Sequence, residues 1–99
     1  MMQLADFEML QKDTFTKGNQ TVLDFGDYHL SIIDDGCGSA RGLYEIGVFA
    51  ASDGVASNMV ELPGITNEGY TVKGNLTEDD VNVIIKKMYT ITNRIPRQI

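Results

Sequence analysis

Few residues in this chain have side chains that do chemistry. A single cysteine, Cys37, sits in the glycine-rich run 35–42, with Arg41 four positions on. A thiol acts as a nucleophile once ionised, and ionisation needs a base or a local positive potential. Asp34 and Asp35 precede it instead, and their charge opposes the thiolate. The three-residue gap to Arg41 is also too short for a phosphatase-type Cys-to-Arg loop. Cys37 therefore reads as a small residue in a loop. Gly36, Gly38 and Gly42 come close to a GxGxxG phosphate loop, but position 41 is arginine and a strand pattern follows. The helix N-terminus that would hold a pyrophosphate is missing from that pattern.

The one histidine, His29, lies opposite Asp24 if Gly26-Asp27 makes a two-residue turn. With no third partner in view, the pair reads as an exposed cross-strand charge pair rather than a catalytic dyad. Glu45 and Glu61 fall opposite each other in the register given below. Two carboxylates without Asp or His neighbours are too few for a metal cage. Like charges directly opposite cost a sheet stability, so solvent or a partner's cation is expected between them. On this reading there is no catalytic residue, no cofactor-binding residue and no metal ligand.

The elements that position these residues follow from periodicity. Leu4, Phe7 and Leu10 give a short amphipathic helix over 3–12. Residues 20–34 form a hairpin whose core face collects Leu23, Phe25, Tyr28, Leu30 and Ile32. Val22, Asp24, His29, Ser31 and Ile33 fall on the other face. Strands follow over 43–51 and 55–62. A three-residue Ser52-Asp53-Gly54 loop pairs Ala50 with Ala56, Phe49 with Ser57, Gly47 with Met59 and Glu45 with Glu61. The rival two-residue Asp53-Gly54 turn puts Ile46 opposite Glu61 and mixes the faces. Pro63-Gly64 ends the strand, and 69–73 reads as a short edge strand.

The clearest local signal is Thr77-Glu78-Asp79-Asp80, a capping box with Asp80 at its third helical position. Leu76 and Val81 form the hydrophobic staple. Val81, Ile84, Ile85 and Met88 then recur at helical spacing, predicting a helix over 78–93 that Pro96 terminates. The resulting expectation is an α+β single domain, 1–99. It is an antiparallel β-meander of four or five strands with a short N-terminal helix and a C-terminal helix packed on the sheet.

Composition narrows the function classes. The 99 residues are 42% hydrophobic and 22% charged, as in ordinary globular chains and unlike disordered or coiled-coil ones. One cysteine excludes an internal disulfide framework and a multi-thiolate zinc site. Net charge is −6, and the first 35 residues hold seven acids against two bases. No basic stripe runs along the chain, so direct nucleic-acid binding is not expected. The N-terminus has acids at Asp6 and Glu8 and no secretory apolar core, and no run reaches membrane-span length. A cytoplasmic location is the expectation, the host cytoplasm if the chain is of phage origin.

The second hairpin is the most suggestive region for function. Its outward face carries Phe49 and Met59 between Glu45 and Glu61, apolar anchors with acidic ends. These four are the candidate partner-binding residues. In size and composition the chain resembles small acidic accessory proteins of bacteriophages. The acidic balance, the outward apolar residues and the lack of a catalytic constellation lead to the expectation of a non-catalytic protein-binding module that inhibits or modulates a host or defence protein. The expected partner is another protein, such as the basic surface of a nucleic-acid-handling enzyme. The alternative is a small structural or assembly protein that self-associates through a sheet edge or face into a homo-oligomer.

Overall fold

The computed structural model describes residues 20–33 and 44–99. The helix expected over 3–12 and the glycine-rich loop with Cys37 lie outside the described residues. The described part is an antiparallel sheet with one helix packed on it, an α+β arrangement. Its strands are β1 (Gln20–Asp24), β2 (Tyr28–Ile33), β3 (Tyr44–Ser52), β4 (Val55–Met59), β5 (Val72–Leu76) and β6 (Arg97–Gln98), and the helix is α1 (Glu78–Thr92). The order is β4-β3-β2-β1-β6, with β5 also paired to β3.

The first hairpin has the register that Gly26-Asp27 dictates. Asp24 faces His29, Leu23 faces Leu30 and Val22 faces Ser31. Gly26 has φ +92° and Asp27 no positive φ, the pattern of a type II′ turn. The Asp24 carboxylate accepts a 2.7 Å hydrogen bond from the Gly26 N–H and steadies the bend. Leu23, Phe25, Leu30 and Ile32 are buried, as the alternation requires.

The second hairpin differs from the expected register. Asp53 and Gly54 both have positive φ, so the turn is the two-residue type I′ form, with Ser52 opposite Val55. The face-mixing that argued against this turn is avoided by a bulge. Between the pairs Ala51↔Ala56 and Phe49↔Met59, β4 advances one residue more than β3. That extra residue restores Phe49 and Met59 to one face. The Ser57 hydroxyl donates to the Ala50 carbonyl at 3.2 Å within the bulge.

β5 continues the line of β4 along the other half of β3, pairing Gly47 with Val72 and Tyr44 with Leu76. The edge strand expected over 69–73 thus begins later. A second bulge lies in β5 beside Asn75, which takes φ +56°. The excursion between β4 and β5 tucks Leu62 and Ile65 into the core. Thr66 ties it back, accepting from the Leu62 N–H at 2.9 Å through its hydroxyl. β6, absent from the sequence reading, adds a two-residue strand to β1 after the buried Pro96.

α1 starts at the capping box. The Asp80 N–H donates to the Thr77 hydroxyl at 3.1 Å, and the Thr77 N–H donates to the Asp80 carboxylate at 3.0 Å. The Thr77 N–H, and to a lesser degree the Thr77 side chain, hold the Asp80 carboxyl below the usual carboxylate range. Asn93, in the left-handed conformation, ends the helix. Val81, Ile84, Ile85 and Met88 are buried with Ile46 and Val48 of β3, so α1 and the excursion share one face of the sheet. No described helix is long and apolar enough to cross a membrane.

Candidate functional site

Strand alternation decides what the opposite face of the sheet presents. Across β1, β2, β3 and β4 one row runs Asp24, His29, Phe49, Met59, each paired directly with the next. The row beside it runs Val22, Ser31, Gly47, Val72. β6 extends both rows, with Arg97 opposite Asp24 and the Ile99 N–H donating to the Val22 carbonyl at 3.0 Å. Among the described residues no helix or strand lies over this face.

Gly47 explains how the apolar groups join. A side chain there would meet Met59 Cε at 2.9 Å and Val72 Cγ1 at 3.4 Å, so the Met59 thioether lies across the bare backbone of β3 toward Val72. Met59 and Val72 are each 39% exposed and Ile99 is 67% exposed, enough surface to reach a partner. Phe49 is half-buried. A groove of about 340 Å³ runs between Phe49, Val22 and Ile99, with His29 and Ser31 in its lining. The Gln20 amide donates to the Ser31 hydroxyl at 2.8 Å at one end.

The His29–Asp24 pair is where expected but not as expected. It is buried rather than exposed, at 4% and 11% side-chain exposure. His29 Nε2 lies 3.5 Å from Asp24 Oδ1, an ion-pair distance beyond a good hydrogen bond, and among the described residues it has no hydrogen-bond partner. The burial comes from β3, a third strand that the pairing of β1 with β2 does not include. β3 flanks His29 with Phe49, and Asp24 also meets Arg97 Nη2 at 3.5 Å.

Of the four residues expected to bind a partner, Phe49 and Met59 come together as a direct cross-strand pair. Glu45 shares their face but pairs with Ile33 on β2, and its carboxylate reaches over Gly74 of β5. Glu61 is not opposite Glu45. It lies on the excursion, lining a cavity of about 400 Å³ with Pro63, Gly64, Thr66 and Glu68. The expected like-charge repulsion is therefore absent, because β5 rather than β4 occupies that stretch of the β3 edge. Val72 and Ile99 join this face without being among the residues expected from sequence. Alternation around Gly47 could have signalled Val72, but β6 leaves no sequence trace.

A second, polar cavity of about 340 Å³ lies at the turn end of the sheet, between Asp24, Asp27, Asp53, Arg94 and Arg97. Among the described residues, no group of three or more His, Cys, Asp or Glu is placed to hold a metal ion. Compared with protein-family models, with curated proteins and with solved structures, the chain matches none.

Proposed function

We propose that this protein is a small, acidic, non-catalytic protein-binding module, of the phage accessory kind, that inhibits or modulates a larger host or defence protein. The observation that supports this is the outer sheet face. Phe49, Met59 and Val72 form a connected apolar strip there, with the Glu45 carboxylate beside it and Ile99 across the groove. Apolar anchors with charge at the rim suit a protein contact, and the −6 net charge suits a basic partner. Glu61 does not sit opposite Glu45, so Glu45 and the general acidity carry the electrostatic part.

Self-association through a sheet edge is the weaker reading. β4 and β5 form one edge, and each carries a bulge, a device that spoils edge-to-edge pairing.

Phe49→Ala tests the proposal. Partner capture from lysate, quantified for wild type and variant, should weaken by about 2 kcal/mol, roughly 30-fold. The melting temperature should fall only slightly. A stability loss of about 3–5 kcal/mol, the scale of a core truncation, would remove the contact-face reading. A stable homo-oligomer in light scattering, lost in Phe49→Ala, would favour self-assembly through the face.

A further inference from the structure

We propose that the outer edge of β1 at Val22–Asp24 is a strand-addition site for an extended partner segment. The chain's own Arg97–Ile99 closes it in the free protein. The segment that takes its place carries a cationic residue and, two positions on, an aliphatic one. The proposal deepens the binding-module reading and rests on it.

The two sides of this edge are unequally held. β1 is fixed: Leu23 is 1% exposed, and the Asp24 carboxylate is anchored by the Gly26 N–H. β6 has only two residues, both exposed, paired with Leu23 and Asp24, and beyond them a single bond from the Ile99 N–H to the Val22 carbonyl holds the segment. Its ion pair is 3.5 Å long, and the Arg97 side chain is 79% exposed, a geometry that contributes little. Buried Pro96 holds the chain just before it, so the loose segment begins at Arg97. Segments with few buried contacts open at low free energy while the elements beside them stay folded.

Opening would leave a prepared template. The Asp24 carboxylate stays in position to receive a cation from an incoming strand. The residue two positions further falls on the same face, where Ile99 now lines the groove with Val22 and Phe49. Main-chain bonds would give most of the affinity, and these two alternate side chains a modest preference.

The test uses the full chain, labelled for NMR, and a synthetic peptide with the sequence of residues 94–99. In wild type the Ile99 amide should exchange on the order of 100-fold faster than that of Leu30. In the Arg97→Glu variant, whose own strap is repelled by Asp24, the peptide should shift the Leu23 and Asp24 amide signals. A peptide with its arginine at the β6 position changed to glutamate should bind about five-fold more weakly. Equal protection of Ile99 and Leu30 would overturn the proposal. So would unmoved Leu23 and Asp24 signals at millimolar peptide in Arg97→Glu. Loss of partner capture in Phe49→Ala alongside a silent β1 edge would retain the face and reject strand addition.

Discussion

Gly26→Ala tests the first hairpin and its tie to the C-terminal segment together. Gly26 has φ +92°, where an L side chain is strained by about 1–2 kcal/mol. Restricting the unfolded chain returns about 0.4–1 kcal/mol, leaving a net backbone cost near 1 kcal/mol. The structure adds a second cost. A Cβ at Gly26 would lie 2.8 Å from Arg94 Cδ and Nη1 and 2.9 Å from Cζ, so the guanidinium that rests on this turn must move. Arg94 is exposed and flexible, which limits that cost to about 0.5–1 kcal/mol, the usual coupling between touching residues. Gly26→Ala should therefore lose about 2 kcal/mol in the wild-type background and about 1 kcal/mol in Arg94→Ala. Denaturant melts of the four proteins in this cycle read both numbers, and the first corresponds to a drop of roughly 8–16 °C in Tm. An unchanged Tm would refute the positive-φ turn. An equal cost in both backgrounds would refute the packing of Arg94 on it.

Thr77→Ala should cost about 1 kcal/mol by removing the cap of α1, read as a lower denaturant midpoint with unchanged slope. Asp80 has a folded pKa below its unfolded one, so its contribution is present above the unfolded carboxylate range and is lost as pH falls through the folded value. The stability gap between wild type and Asp80→Asn should accordingly narrow on acidification, and a gap constant from neutral to strongly acid pH would contradict the capping box. Asn82 is buried on α1, and among the described residues its side-chain oxygen has no hydrogen-bond partner. Asn82→Leu should gain about 1–2 kcal/mol in a thermal or urea melt, by removing an unsatisfied acceptor from the interior. Gly47→Val should displace Met59 from the strip and weaken partner capture, while circular dichroism reports an intact sheet.

Much of this fold was legible from short-range pattern. The Gly26-Asp27 turn determines every pair of β1 with β2, because a two-residue turn leaves one register and alternation leaves one core face. The capping box and the Val81, Ile84, Ile85, Met88 stripe mark α1 to within a residue of its end, because both signals span a single turn or two of helix. The candidate face was half legible. Phe49 and Met59 were assigned to one side correctly, although through the wrong pair.

What sequence could not decide was how the β3 edge is shared. A three-residue loop without a bulge and a two-residue turn with one put Phe49 and Met59 on the same face, and only the positive φ of Asp53 beside the Ser52↔Val55 pair separates them. β5 then takes the rest of that edge after a loop that buries Leu62 and Ile65, which separates Glu61 from Glu45. β6 depends even more on tertiary contact. Arg97 and Gln98 have no strand pattern of their own, and they pair because buried Pro96 delivers them to an edge of β1 with Asp24 waiting. Local rules act over one turn or one hairpin, whereas strand edges are matched between segments tens of residues apart. The choice there belongs to packing, which no run of adjacent residues records.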